Sequence, residues 1–138
     1  MIIFNYETDF ELVNAEKYSK WISKTILNEG FEEGDINYVF CDDEYLHKLN
    51  VEFLDHDTLT DIISFDYTMG KLISGDIFIS VERVKDNAAD LNISFEEELP
   101  RVIIHGVLHY CGFKDKSVDE AKEMRTKEEE YISVLEKQ

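Results

Sequence analysis

The segment from residue 102 to residue 109 constrains the fold of this chain most strongly, because it is the most apolar stretch of the sequence. Its apolar side chains are Val102, Ile103, Ile104, Val107 and Leu108. A helix that is apolar around most of its circumference is predicted to be buried among other elements. The same segment carries two histidines, His105 and His109. The fold must therefore place two imidazoles on a buried, rigid helix.

The spacing of the two histidines indicates a metal site. Residues four apart lie on one face of a helix, one turn above the other, so His105 and His109 can be offered to one ion. Gly112 permits the left-handed turn that ends a helix, and Asp115 follows where a third ligand can return to the ion. Three protein ligands leave one coordination position open, as in catalytic metal sites. The alternative is a pair of hydrogen-bonded core histidines and a solvated loop carboxylate.

This ligand set does not select one metal. Zn²⁺ accepts two imidazoles and a carboxylate, and so do ferrous iron and other divalent ions, so we predict zinc or another divalent metal. Residue 106 is glycine, so the His-Glu-x-x-His signature of metalloproteases and its general base are absent. Gly106 is expected instead to let another backbone approach closely. Cys111 is predicted to face away from the histidines as a buried structural thiol.

Length and composition favour a soluble globular protein. The chain has 138 residues, of which 43% are hydrophobic, and we expect one domain, residues 1–138, around one core. No apolar run approaches the length that crosses a bilayer, so no membrane partner is expected. The N-terminus lacks the features of a signal peptide, and two cysteines fit a reducing compartment. We therefore expect a cytoplasmic location.

The charge balance restricts the partners. The formal net charge is −17, from 31 acidic and 14 basic residues. Such a field repels polyanions at long range, which argues against broad, non-specific nucleic-acid binding, and no DNA partner is expected. A local basic patch, or a substrate delivered by another molecule, remains compatible with it. The alternative interpretation of the charge is a surface feature that maintains solubility.

The hydrophobic pattern predicts the element order βαβαββααα. Strands are expected at residues 1–6, 35–40, 60–67 and 72–81, the last interrupted at Gly75-Asp76. Helices are expected at residues 14–29, from Asp42 or Asp43 through Phe53, at 82–91, after Ser94 and after Ser117. The predicted fold class is α/β (α+β). We expect a mixed sheet of about four strands packed with about five helices, with the metal site at the end of a buried helix.

Several local signals set the helix ends. Asn14 can cap the first helix and Gly30 can stop it. Ser94 with Glu97, and Ser117 with Glu120, have capping-box spacing. Pro100 predicts a kink or a tight start in the histidine-bearing helix. The terminal helix carries one stripe of inward-facing residues: Ala121, Met124, Glu128, Tyr131 and Leu135.

A second cluster of motifs lies upstream of the histidines. It consists of Leu49-Asn50, His56-Asp57 and the strand motif at residues 60–65, and its functional interpretation is a substrate-binding rim. The alternative is a helix end and an ordinary strand start. Gly75, in the Ser-Gly-Asp-Ile sequence at 74–77, permits close backbone approach.

Together these motifs resemble the YbeY family of rRNA maturation factors, which are metal-dependent endoribonucleases. The matching pieces are Leu49-Asn50, Thr-Asp-Ile-Ile-Ser-Phe at 60–65, Gly-Asp-Ile at 75–77 and His-Gly-Val-Leu-His-Tyr-Cys-Gly-Phe at 105–113. They keep their order and span nearly the whole chain. The resemblance implies a single-strand-specific endoribonuclease that matures the 3′ end of small-subunit rRNA and serves ribosome quality control. The implied partners are rRNA and the ribosome or ribosomal proteins, and the implied cofactor is zinc held by three histidines.

Two positions depart from the family pattern. The third histidine falls at Asp115, so a carboxylate replaces an imidazole. Leu54 stands where the family commonly has an arginine, which is a candidate phosphate contact. The candidates to take its place are His56, Arg101, Lys114 and Lys116.

The leading hypothesis is a metal-dependent endoribonuclease. His105, His109 and Asp115 are predicted to hold the ion, and Arg101 and Lys114 to join the two histidines in catalysis by steadying the scissile phosphate. Two alternatives stay open at this point. One is a metallohydrolase that acts on a non-RNA substrate, and the other is a ribosome-assembly factor whose metal is structural.

Overall fold

A computed structural model of the protein describes residues 1–55 and 59–137. Its elements are β1 (Ile2–Tyr6), α1 (Ala15–Asn28), β2 (Glu32–Cys41), α2 (Asp43–Leu54), β3 (Ile62–Asp66), β4 (Leu72–Ser80), α3 (Val81–Asp90), α4 (Phe95–Tyr110) and α5 (Val118–Glu136). The element order is the predicted one. No helix within the described residues has the length and apolar content needed to cross a membrane.

The four strands form one mixed sheet in the order β1-β2-β4-β3. β1 pairs in parallel with β2, and β2 pairs in parallel with β4. β3 runs antiparallel to β4, to which it is joined by the turn around Gly70. The predicted fold class, a mixed four-stranded sheet packed with five helices, is therefore confirmed.

The core lies mainly on one face of the sheet. Ile36, Tyr38 and Phe40 of β2 are fully buried there, as strand alternation predicts. α1 and α4 pack against the sheet, and α5 packs against α1 and α4. A smaller cluster of Cys41, Leu46 and Ile63 lies between the sheet and α2 on the opposite face. The histidine-bearing helix α4 is thus enclosed by strands on one side and helices on the other.

Three strands differ from the sequence prediction. β3 is shorter than the expected 60–67, since it spans Ile62–Asp66. β2 begins three residues earlier than expected and contains a register shift between Glu33 and Ile36. A Cβ at Gly34 would lie 2.4 Å from the carbonyl oxygen of Ile73, so glycine allows this close pairing. The expected interruption of β4 at Gly75-Asp76 is wrong, because both residues remain in the ladder with β2 and β3.

The predicted helix ends are mostly confirmed. Both capping boxes form, at Ser94 with Glu97 and at Ser117 with Glu120. The chain has positive φ at Gly30 and at Gly112, where the expected left-handed turns occur. Asn14 is the exception: it has φ 61° and its side chain makes no capping hydrogen bond, so that prediction is wrong.

The sheet fixes the position of α4. Tyr38 on β2 donates a hydrogen bond of 2.8 Å from its hydroxyl to the carbonyl oxygen of Ile103. A Cβ at Gly106 would lie 3.0 Å from a methyl carbon of Ile77 and 3.2 Å from one of Ile62. Side chains of the strands, rather than the backbone we expected, therefore fill the space beside Gly106. The helix continues through Pro100 as one element.

Candidate metal centre

His105, His109 and Asp115 come together as predicted. His105 and His109 lie on successive turns of α4, and the turn at Gly112 brings Asp115 back over the same face. The potential ligand atoms of the three residues all lie within 4.8 Å of one another. Among the residues that the structure describes, this is the only group of three or more histidine, cysteine or acidic side chains with such an arrangement. These three residues form a group that can bind a metal ion.

The spacing of the Asp115 carboxylate from each histidine fits a small tetrahedral ion. The Oδ2 atom of Asp115 lies 3.3 Å from Nε2 of His105 and 3.5 Å from Nε2 of His109. Tetrahedral zinc with bonds of roughly 2.0–2.1 Å requires ligand atoms about 3.3–3.4 Å apart. The side chains therefore need little movement to hold an ion between them. The same donor set accepts other divalent metals, so the geometry does not distinguish zinc from them.

A buried carboxylate on α5 orients the first histidine. Glu128 is 3% exposed, and its Oε2 atom lies 2.6 Å from Nδ1 of His105. An ionised carboxylate can only accept a hydrogen bond, so Nδ1 of the neutral imidazole carries the proton and donates it. The lone pair of His105 is then on Nε2, the nitrogen that faces Asp115. This is the usual arrangement behind a metal-binding histidine.

Arg101 holds this carboxylate in place. Its guanidinium Nη2 donates to Oε1 of Glu98, and its Nη1 lies 3.6 Å from Oε1 of Glu128. Glu98 is also only 3% exposed. Buried carboxylates are strongly disfavoured without partners, so the arginine compensates two of them at once. The four residues Glu98, Arg101, His105 and Glu128 form a continuous chain of polar contacts between α4 and α5.

The two histidines respond differently to this environment. Burial by itself lowers the pKa of His105, but the hydrogen bond and charge of Glu128, with the charges of Asp115 and Asp61, outweigh burial and raise it. Burial and the neighbouring His105 instead lower the pKa of His109, although Asp115 opposes them. The opposite directions follow from Glu128, which contacts only the first histidine.

His105, His109 and Asp115 line a cavity of about 520 Å³. Its walls come from the start of β3, from α4 and from α5. Thr60, Asp61, Ile62 and Ser64 of the predicted rim line it, which places that motif beside the ligands. Leu49 and Asn50 lie within α2 and do not line the cavity. His56 and Asp57 of the same motif lie outside the described residues.

The predicted phosphate contacts occupy different positions. Arg101 lines the cavity but is paired with two carboxylates. Lys114 and Lys116 are exposed and do not line it. The roles assigned to Arg101 and Lys114 in catalysis stay predictions. Cys111 is half-buried rather than buried, and it is not part of the ligand group.

Sequence reasoning missed three charged residues of the cavity, Glu98, Arg125 and Glu128. Glu128 was recognised only as a member of the inward-facing stripe of α5. An acidic residue in such a stripe needs a buried partner, so its position in the sequence could have indicated a polar contact inside the protein. Arg125 lines the cavity from the same helix, three residues before Glu128. Its position depends on how α5 packs on α4, which no local pattern contains.

Comparisons with known proteins place the whole chain in one family. The family described as Endoribonuclease YbeY matches residues 3–136. A relative named Endoribonuclease YbeY from Flavobacterium johnsoniae is 66% identical over 135 residues, covering 98% of this chain and 97% of the relative. Another of that name, from Flavobacterium psychrophilum, is 58% identical and covers 98% of this chain and 96% of the relative.

A solved structure has the same fold. The solution structure of TM1509 from Thermotoga maritima superposes with a TM-score of 0.69. It is 26% identical in sequence, and the match covers 98% of this chain and 89% of that one. The similarity therefore extends over the sheet and all the helices that build the cavity.

Proposed function

This chain belongs to the endoribonuclease YbeY family, and from that membership we propose that it cleaves RNA with the help of a metal ion held by His105, His109 and Asp115. The family supports the endoribonuclease activity itself. Our proposal extends to single-stranded ribosomal RNA, with maturation of the small-subunit 3′ end and ribosome quality control as its setting. It includes the ribosome or ribosomal proteins as partners and the cytoplasm as location.

One observation supports the metal dependence: three donor side chains lie together, and the distances from Asp115 to both histidines match those of a tetrahedral site with one position open. His105 and His109 each offer Nε2, and Asp115 offers Oδ2. The chemistry that a bound divalent ion supplies is polarisation of a phosphate oxygen and acidification of a water molecule. An open position distinguishes this arrangement from a closed structural site, in which four protein ligands surround the ion.

The residues around the ligands have separate tasks. Glu128 keeps the proton of His105 on Nδ1 and so leaves Nε2 free to bind. Arg101 pairs with Glu128 and Glu98 in a buried place. Thr60, Asp61 and Ser64 supply the polar rim along which an RNA strand would lie. Glu128 and Arg101 thus orient the ligands from behind, and the rim residues face the substrate.

The experiment compares the wild-type protein with the His105→Ala/His109→Ala double variant. Both are incubated with a single-stranded RNA oligonucleotide, with added zinc or with a chelator, and metal content is measured alongside cleavage. We expect near-stoichiometric metal and cleavage only in the zinc-loaded wild type. His47→Ala, a histidine on α2 that does not line the cavity, is the matched control and should keep both.

The alternatives are decided by these measurements together with a ribosome co-sedimentation assay of the double variant. If the zinc-loaded wild type leaves RNA intact, the endoribonuclease proposal is wrong. If cleavage persists in chelator, the metal dependence is wrong. If RNA stays intact while the double variant still associates with ribosomes, the protein is an assembly factor with a structural metal.

A further inference from the structure

The cavity contains very little positive charge for a site that meets a polyanion. Among the described residues, its lining includes four carboxylates, from Asp61, Glu98, Asp115 and Glu128. It includes two guanidinium groups and no lysine. With both histidines neutral, the lining is two charges negative, and a divalent ion brings it to neutrality. Binding of an RNA phosphate in the cavity therefore depends on whether either guanidinium group is available to contact it.

Arg101 is not available to the substrate. Its side chain is 18% exposed, and its Nη atoms face the nearly buried carboxylates of Glu98 and Glu128. A phosphate that recruited this guanidinium would leave two buried carboxylates uncompensated, which is strongly unfavourable. Arg101 is therefore a positioning residue for Glu128 and, through it, for His105.

Arg125 has the opposite properties. It is exposed, lines the cavity, and makes no ion pair or hydrogen bond with its side chain within the described residues. Ala121 and Glu128 line the cavity from one turn before and one turn after it on α5, so this face of the helix is directed at the ligands. Its charge and its five donors are free for a partner.

We infer that Arg125 binds a non-bridging phosphate oxygen of the RNA strand in the cavity, an inference that rests on the proposed endoribonuclease function. A guanidinium matches a phosphate with two parallel hydrogen bonds and stays charged at any working pH. Without Arg125, the metal-loaded lining would be one charge negative and would repel the backbone. The role that the sequence assigned to a cation beside the histidines thus belongs to a residue on the terminal helix.

The test uses zinc-loaded full-length protein and a single-stranded RNA oligonucleotide, with KM and kcat measured at several salt concentrations. The variants are Arg125→Gln, Arg125→Lys and Lys122→Gln. Lys122 lies one turn earlier on α5, is exposed and does not line the cavity, so its variant makes the same change in net charge elsewhere. Zinc content and thermal unfolding of each variant are measured in parallel.

For Arg125→Gln we expect KM to rise about tenfold or more, as for loss of a hydrogen bond to a charged group. Zinc content should be unchanged. The plot of log(kcat/KM) against log salt should become shallower by about 0.7, the value for one phosphate contact on a single strand. Arg125→Lys should keep the salt slope with a smaller rise in KM, because it keeps the charge but not the planar fork. Lys122→Gln should behave as wild type.

Two results would overturn the inference while leaving the proposed function intact. One is Arg125→Gln with the wild-type KM and salt slope, and the other is Lys122→Gln with changes equal to those of Arg125→Gln. If the zinc-loaded wild type itself does not cleave the RNA, the proposed function fails and this inference fails with it.

Discussion

The Oε2 atom of Glu128 lies 2.6 Å from Nδ1 of His105, across the contact between α5 and α4. This short hydrogen bond links the helix that carries two of the candidate metal ligands to the terminal helix. It determines which nitrogen of His105 is free to bind, and it makes the terminal helix part of the site.

Replacing Glu128 by glutamine is expected to weaken metal binding. The variant keeps the size of the side chain but removes the charge that orients His105 and pairs with Arg101, and loss of such a partner typically lowers metal affinity about 10- to 100-fold. Zinc affinity is measured by competition with a chromophoric chelator. Glu129→Gln, an exposed neighbour on α5, is the control. Equal zinc affinities of Glu128→Gln and Glu129→Gln would show that Glu128 does not orient His105 for metal binding.

Asp115 is expected to be a true ligand, so its substitution should be at least as damaging as that of Glu128. Asp115→Ala leaves two imidazoles, and its zinc affinity should fall to or below that of Glu128→Gln. Asp115→His restores three protein ligands and should retain tight binding, since imidazole is an equally suitable zinc donor. The same competition assay checks both variants. Wild-type affinity in Asp115→Ala would remove this residue from the ligand set.

Metal binding is expected to stabilise the folded protein. An ion that binds only the native state at one hundred times its dissociation constant adds about 2.7 kcal/mol to the free energy of unfolding. Thermal unfolding with added zinc should therefore give a higher Tm than unfolding in chelator. The His105→Ala/His109→Ala variant should show no such difference between the two conditions. A zinc-dependent rise in its Tm would point to binding elsewhere.

Gly75 is expected to tolerate no side chain. A Cβ there would lie 2.4 Å from the carbonyl oxygen of Phe65 and 2.4 Å from the hydroxyl of Tyr110. Gly75→Ala should lower the free energy of unfolding by about 1–3 kcal/mol, the usual range for overpacking. Tyr110→Phe, which loses the hydrogen bonds that this hydroxyl donates to the carbonyl oxygens of Phe65 and Asp76, should lower it by about 1 kcal/mol. Urea unfolding measures both. A smaller effect for Gly75→Ala than for Tyr110→Phe would contradict this account.

Cys41 is expected to react slowly with alkylating reagents. Burial, with the charges of Asp42, Asp43 and Glu7, raises the pKa of its thiol to about 12. The thiolate is the reactive form, so its fraction keeps rising through pH 10, where an ordinary thiol is already ionised. The alkylation rate of Cys41, followed by peptide mapping, should therefore increase up to pH 10 without a plateau. Urea-denatured protein is the control, and a plateau near pH 9 in the native protein would contradict the raised pKa.

The element order and the proximity of His105, His109 and Asp115 could be predicted because their signals are local. Strand alternation at Ile36, Tyr38 and Phe40, the capping boxes and the histidine spacing each depend on residues close in sequence. The position of Asp115 beside the histidines could also be predicted, because Gly112 indicates the turn that reverses the chain. The family resemblance, which the comparisons confirm, also indicated that these separate motifs occur in one fold.

The parts that could not be predicted depend on contacts between distant segments. The partner of His105 is 23 residues away on another helix, and only the packing of α5 on α4 brings them together. The same packing separates Arg101, which pairs with two carboxylates, from Arg125, which has no ion pair within the part of the chain that the structure describes. Asn14 failed as a cap because its backbone adopts a left-handed conformation that residue type alone does not reveal.

The left-handed turn at Gly112 has a consequence for how an ion is captured. His109 and Asp115 are separated by only six positions in the chain, and the turn closes that interval during folding, before any ion arrives. The loss of chain entropy on bringing the donors together therefore occurs on folding and does not oppose metal binding. A macrocyclic chelator, whose ring is closed during synthesis, has the same advantage. On this view, capture of an ion requires little rearrangement of the protein.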